Sequence, residues 1–419
     1  MLFLHALYFV AIGISLMSLL AVVMRLRRLD PWAPAGGTSV SVILPLTGEA
    51  QSFDALLEAL NKQTLQPSCL LVSVESEQDP AYARVRALMH KANFPIRLIV
   101  AGLATHQAQK CRNQQAALDC VEPGTETIVL MDGDILPGPL WLGRLVWPVA
   151  SGKYDIVSAH RWQRLDQHRV GAHLIAAVDR SITLLPRVEL ECASVAWGGS
   201  IAMTAEAARF MDLRGLLDGV ISDDLALACR ASELGLRIGT HRSLLVASPN
   251  RQSLVSAWRF ARRQYQMCRL YRPALWRAGL CIVGLRLAGW SAAIWLSVAE
   301  GTGIWGLATL MLLALLKQHV TGKVSSRVGL PDSRSVHLVQ LGLGCLQPLV
   351  DLFHLSVIIG ACTRTVRWGH VTYRVRGPAN IQVQAREPSF GHRSPGYVAP
   401  AGEWDLAEIA QQRTEKPPM

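Results

Sequence analysis

Short runs of aliphatic and β-branched residues recur between positions 40 and 159, and amphipathic helical patterns lie between the early ones. The apolar runs are VSVILPL (40–46), CLLVSVE (69–75), IRLIVAG (96–102), TIVLM (127–131) and YDIVSA (154–159), and the helical patterns include FDALLEALNKQ (53–63) and AYARVRALMHKA (81–92). Buried strands that alternate with helices predict an α/β domain with a mostly parallel, doubly wound sheet. In such sheets ligands bind beyond the carboxyl ends of the strands.

Longer apolar runs lie on both sides of this domain. Residues 1–24 are long enough to span a bilayer, and the basic cluster RLRR that follows them is typical of a cytoplasmic anchor end, not of a signal-peptide cleavage site. Residues 279–299 and 302–316 are also apolar. Residues 336–360 are apolar but include several polar side chains, which predicts a re-entrant or interfacial helix.

Together these patterns predict a multi-pass protein of the inner (cytoplasmic) membrane. We expect an N-terminal anchor (1–24), a cytoplasmic catalytic domain (38–272) and C-terminal transmembrane or interfacial helices (273–361). An arginine-rich segment (362–378) alternates polar and apolar residues, so we expect it on the cytoplasmic side near the catalytic domain. The tail (379–419) is rich in Pro, Gly and charged residues, which predicts disorder.

Composition supports membrane association. Half of the residues are apolar, whereas only 17% are charged, a low fraction for a soluble protein. The net charge of +11 is spread along the chain without an aromatic-interleaved basic patch, so we expect no nucleic-acid partner. Anionic lipid head groups or a phosphorylated small substrate fit this charge better. The nine cysteines show no zinc-like spacing, which indicates reduced thiols, and the absence of an internal repeat argues against a transporter.

Two carboxylates, Asp132 and Asp134, follow the apolar run in IVLMDGDILPG (128–138). They are ordinary residues for a solvated turn, so their type alone is weak evidence. Their position at the end of a buried strand favours a site for a hard divalent ion, Mn²⁺ or Mg²⁺, which would neutralise a diphosphate leaving group. This arrangement fits a nucleotide-sugar enzyme.

A second pair of carboxylates lies in ISDDLALACRASELG (221–235). Ser222 is predicted to be the N-cap of a helix, and Asp223 and Asp224 would then stabilise its N-terminus through the helix dipole. Alternatively, one of them is a general base that removes a proton from a sugar or lipid hydroxyl. Just upstream, Gly198 and Gly199 in AWGGSIAMT allow a close approach to a substrate, or mark a strand bulge.

The chain resembles the membrane-bound family 2 and family 21 glycosyltransferases, in particular ceramide glucosyltransferases and the hopanoid-associated lipid glycosyltransferases of bacteria. The resemblance spans about residues 38–376, and it depends on the order and spacing of several motifs. These are VSVESEQDPA (72–81), QKCRNQQAAL (109–118), VLMDGDILP (129–137), WGGSIAM (197–203), SDDLALA (222–228), FARRQYQMCRLYR (260–272), PLVDLFH (348–354) and VRWGHVTYRV (366–375).

The resemblance implies a GT-A type fold and a transfer that inverts the anomeric centre. It makes Asp224 the catalytic base and assigns Asp132 and Asp134 to the metal and diphosphate motif. The residues implied on the donor side, where the nucleotide sugar binds, are Glu75, Asp79, Lys110, Asn113, Asp132, Asp223 and Arg263.

The acceptor side departs from the family pattern. The family signature (Q/R)-x-x-R-W aligns with Arg263–Met267, where Gln266 and Met267 replace its Arg and Trp, or with Gln266–Leu270, which retains Arg269. Alternatively, the arginines of this stretch face lipid head groups. The residues expected on the acceptor side are Trp197, Gly198, Gly199, Gln266 and Arg269.

These observations predict a metal-dependent transferase that moves a sugar from UDP-glucose or UDP-N-acetylglucosamine to a lipid hydroxyl of a ceramide, hopanoid or diacylglycerol. A processive polysaccharide synthase is an alternative, but the signature aromatic is absent and the C-terminal region has few clear spans. A catalytically silent glycosyltransferase-like scaffold is another. The retained carboxylates argue against it, because an idle site has little reason to hold repelling charges.

Overall fold

A computed structural model of the protein describes residues 1–27, 37–184, 196–239 and 244–387. Its helices, α1 to α14 in chain order, are Leu2–Arg27, Phe53–Asn61, Pro80–Leu88, Gln109–Leu118, Trp141–Ala150, Val170–Thr183, Ala205–Phe210, Leu213–Leu216, Asp223–Glu233, Leu254–Tyr271, Pro273–Ala299, Ile304–Arg327, Arg334–Cys345 and Gln347–Gly360. Its strands, β1 to β12, are Val40–Pro45, Cys69–Val74, Ile96–Val100, Thr127–Met131, Ile156–Ser158, His160–Arg164, Ser200–Thr204, Ile238–Gly239, Leu245–Pro249, Thr365–Trp368, Val371–Gly377 and Asn380–Arg386.

The central sheet has seven strands in the order β3-β2-β1-β4-β7-β5-β8. Strands β1 to β4 are mutually parallel, whereas β7 runs antiparallel to its neighbours β4 and β5. The five strands expected from the apolar runs are all present. The predicted α/β class with a mostly parallel sheet is therefore confirmed.

Alternate residues of the central strands enter two different cores, one on each face of the sheet. In β1, Val42 and Leu44 pack with α2 and α5, whereas Ile43 faces α4 and α9 on the opposite side. In β4, Val129 and Leu130 divide in the same way. This two-residue period explains why the strands read as continuous apolar runs, since both faces are buried.

The parallel strands β1, β2 and β4 end at one edge of the sheet. Glu75 directly follows β2 and Asp132 directly follows β4. The fold therefore brings residues about sixty positions apart in sequence to the same edge.

Three helices, α1, α11 and α12, are long and apolar enough to cross a membrane. Helix α1 packs against the other two through Tyr8, Ala11, Trp290 and Leu310. A Cβ atom at Gly289 would lie 2.6 Å from the carbonyl oxygen of Leu7, so the glycine permits close helix contact. Helices α13 and α14 meet at an 83° bend, as in a broken span or a re-entrant loop.

The C-terminal strands β10, β11 and β12 form a separate antiparallel sheet, which we call the C-terminal sheet. The boundary of the tail predicted at residue 379 is wrong, because residues 380–386 form β12 and pair with β11. Local composition does not reveal this pairing, since it depends on a partner strand. Residues 388–419 of the predicted tail lie outside the described residues.

Candidate active site

The loop after β4 holds Asp132 and Asp134 at the carboxyl edge of the sheet. The backbone N–H of Asp132 donates to the carbonyl of Gly199 at 3.3 Å, which joins the loop to the start of β7. The hydroxyl of Ser248 donates to the carbonyl of Asp134 at 3.2 Å. The loop is thus anchored on two sides while the carboxylates face the site.

Lys110, in the first turn of α4, connects the two carboxylate pairs that the sequence singled out. Its ammonium lies 2.7 Å from Oδ1 of Asp132 and 3.0 Å from Oδ2 of Asp223. Burial alone would lower the pKa of Lys110, but the carboxylates of Asp132, Asp223 and Asp224 raise it above its ordinary value. The lysine is therefore a permanent cation between the two pairs.

Asp223 and Asp224 begin helix α9 and point in different directions. Asp223 is buried against Lys110 and accepts a hydrogen bond from Gln114 at 2.8 Å. Burial raises the pKa of Asp223, with repulsion from nearby carboxylates adding to the effect and Lys110 opposing it. Asp224 is only partly buried and accepts from the backbone N–H of Gly198 at 2.9 Å.

Ser222 is the N-cap residue of α9, as its position predicted, but its side chain does not cap the helix. Its hydroxyl donates to Oδ1 of Asp224, which also accepts from the N–H of Leu225 at 2.8 Å. Two donors therefore fix one oxygen of Asp224. The second oxygen faces Gly198.

The residues Trp197, Gly198 and Gly199 form the opposite wall of the site. A Cβ atom at Gly198 would lie 2.8 Å from the Lys110 ammonium and 3.1 Å from an oxygen of Asp223. At Gly199 a Cβ atom would lie 2.2 Å from the Trp197 ring. Both glycines therefore lie close to neighbouring side chains, and the expected close approach to a substrate stays a prediction.

Asp132 and Asp134 have the chemistry of a divalent-cation site. Nearby protein atoms, which reduce the solvation of the carboxylate, and repulsion from Asp132 raise the pKa of Asp134, although the residue is exposed at the surface. A hard cation with oxygen ligands would relieve this repulsion. Within the described ranges no cluster of three or more His, Cys, Asp or Glu residues surrounds the pair, so further ligands would come from a substrate or from water.

Three residues predicted on the donor side make hydrogen bonds within the protein. Asp79 is the N-cap of α3 and accepts from the N–H groups of Ala81 and Gly48 at 2.9 and 2.8 Å. Asn113 donates to the carbonyls of Leu46 and Ser73, both at 3.1 Å, and so ties together the ends of β1 and β2. These side chains shape the edge of the sheet.

Glu75, the third, meets residues that the sequence did not assign to the site. Its buried carboxylate accepts from Arg386 at 2.6 Å and lies 3.1 Å from Nε2 of His370. Arg386 also donates to the side chain of Gln109 at 2.9 Å. The C-terminal sheet therefore docks on the edge of the central sheet that carries Glu75, and the motif VRWGHVTYRV was the sequence signal that could have placed His370 there.

The residues of α10 divide between the site and the C-terminal sheet. Burial and Arg161 lower the pKa of Arg263 to about 10, whereas the nearby carboxylates of Asp132, Asp134 and Asp224 favour its charged form. Gln266 donates to Thr363 Oγ1 at 2.7 Å and to the Thr365 carbonyl at 2.9 Å.

Arg269 also contacts the chain between α14 and β10, donating to the carbonyl of Cys362 at 3.1 Å. Met267 is buried in the core beneath the C-terminal sheet. Within the described chain, neither Gln266 nor Arg269 contacts the site carboxylates. Both side chains thus hold the C-terminal segment, and their expected acceptor role stays a prediction.

Comparisons with solved structures give distant similarities. The mannosyltransferase PcManGT from Pyrobaculum calidifontis, in complex with GDP-Man and Mn²⁺, is 17% identical, with 85% of this chain and 97% of that chain covered and a TM-score of 0.42. Glucosyl-3-phosphoglycerate synthase from Mycobacterium tuberculosis, in complex with Mn²⁺, UDP-Glc and phosphoglyceric acid, is 16% identical, with 71% and 82% covered and a TM-score of 0.33. S. aureus TarS 1-349 in complex with UDP-GlcNAc is 12% identical, with 84% and 100% covered and a TM-score of 0.36.

A search of curated proteins found no match. The sequence itself matches the family described as glycosyl transferase family 21 over residues 3–381, which include the central sheet, the site and the strands β10 and β11 of the C-terminal sheet. This match confirms the resemblance drawn from the motifs. The chain therefore belongs to glycosyl transferase family 21.

Proposed function

We propose that this glycosyltransferase moves a sugar from a nucleotide diphosphate sugar, UDP-glucose or UDP-N-acetylglucosamine, to a lipid hydroxyl, with inversion of the anomeric centre. The arrangement of Lys110 carries the proposal. It joins Asp132, on the expected diphosphate side, to Asp223, next to the expected base Asp224. A donor edge and a base are thereby held in one connected site.

Asp224 is the group that we assign as general base. Its carboxylate would take the proton from the lipid hydroxyl while the hydroxyl oxygen attacks the anomeric carbon of the sugar. The bond from that carbon to the β-phosphate oxygen breaks, and the nucleoside diphosphate leaves with the electron pair. In-line attack on the face opposite the leaving group inverts the anomeric centre.

Asp132 and Asp134 would hold a divalent ion, Mn²⁺ or Mg²⁺. Such an ion supplies charge neutralisation to a diphosphate leaving group. The protein contributes two carboxylate ligands on an anchored loop, and Lys110 keeps Asp132 oriented. The raised pKa of Asp134 supports this assignment, because it reflects burial of the carboxylate and repulsion from the neighbouring carboxylate of Asp132.

A lipid acceptor is supported by the surroundings of the catalytic domain. Three helices long and apolar enough to cross a membrane belong to the same chain, and α10 leads directly from the site to the apolar helix α11. We propose that the catalytic domain lies at the cytoplasmic face of the inner membrane, where nucleotide sugars are available. The acceptor hydroxyl would then enter from the bilayer side.

The test is sugar transfer by membranes that contain the full-length protein. Radiolabelled UDP-glucose and UDP-N-acetylglucosamine are supplied with Mn²⁺ and the total lipids of the native host, and labelled lipid is measured. Asp224→Asn should abolish the label. Asp54→Asn should not, because Asp54 is an exposed residue of α2 that pairs with Arg84 of α3. Labelled polymer in place of labelled lipid would favour the processive synthase. If the wild-type protein binds no nucleotide, the silent scaffold is favoured.

A further inference from the structure

Two arginine side chains pack on the Phe260 ring beside the active site. The guanidinium carbon of Arg161, on β6, lies 4.8 Å from the ring centroid, and that of Arg263, on α10, lies 5.6 Å from it. Each arginine also packs on a tryptophan, Arg161 on Trp197 at 5.7 Å and Arg263 on Trp368 at 4.7 Å. Three aromatic rings thus hold two like charges in place.

Acidic partners compensate these charges poorly. Arg161 lies 3.7 Å from Asp179, but that carboxylate already accepts a hydrogen bond from Gln163 at 2.9 Å. The Nε atom of Arg161 is buried and has no hydrogen-bond partner among the described residues. With the residues that the structure describes, Arg263 makes aromatic contacts but no hydrogen bond or ion pair.

The two guanidinium groups affect each other and the carboxylates. Burial and repulsion from Arg161 lower the pKa of Arg263 to about 10. Arg161 in turn favours the charged form of Asp134. Like charges held together in a partly buried site are unfavourable unless a ligand of opposite charge binds between them.

The chemistry of the missing counter-charge follows from the residue type. Arginine presents a planar set of donors that matches phosphate oxygens in pairs, and it is weakly hydrated, so it suits sites that exclude water. The site lies beside the loop that carries Asp132 and Asp134. A diphosphate next to this loop would meet both guanidinium groups.

We propose that Arg161 acts together with Arg263 as a phosphate clamp that binds the diphosphate of the donor and of the departing nucleoside diphosphate. The inference rests on the proposed function and adds a residue, Arg161, that neither the motifs nor the family signature indicates. When the bond between the sugar and the β-phosphate breaks, the leaving group gains negative charge. Two fixed cations stabilise that charge more than they stabilise the bound donor.

The experiment measures equilibrium binding of UDP and of inorganic pyrophosphate, each with Mn²⁺, to the full-length protein in nanodiscs. Arg161→Gln should weaken both affinities by about tenfold or more, since a charge-assisted hydrogen bond is lost, and Arg161→Lys should lie between wild type and Arg161→Gln. Arg164→Gln is the matched control, because Arg164 lies on the same strand but is exposed and paired with Asp166. Its affinities should equal those of the wild type.

Arg263→Gln and the double variant complete the test. If both arginines bind one diphosphate, the two losses of affinity should not add independently. Unchanged affinity for UDP and pyrophosphate in Arg161→Gln would overturn the proposal. It would do so even if the KM for the lipid acceptor rose, because the arginines would then bind an acceptor phosphate. The proposal would also be overturned if Arg161→Lys and Arg161→Gln lost the same amount of affinity and the same amount of thermal stability. Arg161 would then serve packing and not phosphate binding. Failure of the wild type to transfer sugar, with the clamp intact, would reject only the proposed function.

Discussion

The ammonium of Lys110 lies 2.7 Å from the carboxylate of Asp132, although the two residues belong to different elements of the fold. Lys110 occupies the first turn of α4, where the helix dipole disfavours a cation. The nearby carboxylates outweigh this effect, as the raised pKa of the lysine indicates. The position of the lysine is therefore explained by the site and not by the helix.

Replacing Lys110 tests this explanation. Lys110→Met should reduce sugar transfer by about 100-fold, because the carboxylates would repel one another and the donor diphosphate. It should also lower the free energy of unfolding by about 3 kcal/mol, since Asp223 would remain as a buried, uncompensated charge. Transfer rates and denaturant unfolding of the purified protein measure the two effects. Lys62→Met, at an exposed lysine paired with Glu58, is the control and should change neither quantity.

The apolar runs predicted the strands and their parallel order because both faces of the sheet are buried, so local sequence and tertiary packing favour the same structure. The position of Asp132 and Asp134 followed from the rule that ligands bind at the carboxyl ends of parallel strands. The divergent roles of Asp223 and Asp224 did not follow. Neighbouring residues on a helix face different directions, and only the packing of α9 decides which one is buried.

Other contacts were beyond sequence reasoning for a different reason. Glu75 and Arg386 are separated by 311 positions, and no local pattern links them. Arg161 lies in a short strand whose letters give no sign of the aromatic rings around it. Gln266 resembled a changed signature residue in the linear alignment, yet in the fold it fastens the segment before β10. The contacts of Glu75, Arg161 and Gln266 all depend on residues that are distant in the sequence.

The two aspartates of α9 should respond differently to the same substitution. Asp224→Asn should reduce transfer strongly while nucleotide binding persists, because it removes the proposed base. Asp223→Asn should retain the hydrogen bond to Gln114 in part and keep measurable transfer, but it should weaken the orientation of Lys110. Single-turnover rates and nucleotide affinities of both variants give the comparison. Equal loss of turnover in both, with nucleotide binding intact, would contradict the assignment of Asp224 as the single base.

A methyl group at Gly198 should disrupt the site by contact. Gly198→Ala places a Cβ atom 2.8 Å from the Lys110 ammonium, so the ammonium must shift from its position between the carboxylates. We expect transfer to fall by about tenfold or more, with little change in the spectrum of the folded protein. Gly138→Ala is the control, because a Cβ atom there meets nothing within 4 Å. Wild-type activity in Gly198→Ala would show that the bridge is not required.

The buried N-cap Asp79 predicts a specific dependence of stability on pH. Burial raises the pKa of Asp79 above its ordinary value of 3.8, so the folded state binds the proton more tightly than the unfolded state does. The stability of the wild type relative to Asp79→Asn should therefore fall as the pH rises from about 4 towards the raised pKa, and then stay constant. Asn retains the capping hydrogen bonds without titrating. Thermal unfolding of both proteins across this range measures the difference, and a difference that rises with pH would contradict the shift.

The pair of Glu75 and Arg386 should control docking of the C-terminal sheet. Arg386→Gln leaves the carboxylate of Glu75 buried without its closest cation, and breaking a buried pair of this kind lowers stability by about 3 kcal/mol. We expect faster amide hydrogen exchange in β10 to β12 and a higher KM for the donor, because the sheet covers the edge at which we propose that the donor binds. Arg367→Gln, on the same sheet, breaks a more exposed pair with Glu387 and should leave both quantities near their wild-type values. If exchange accelerates but the donor KM stays constant, the sheet docks on the catalytic domain without forming part of the donor site.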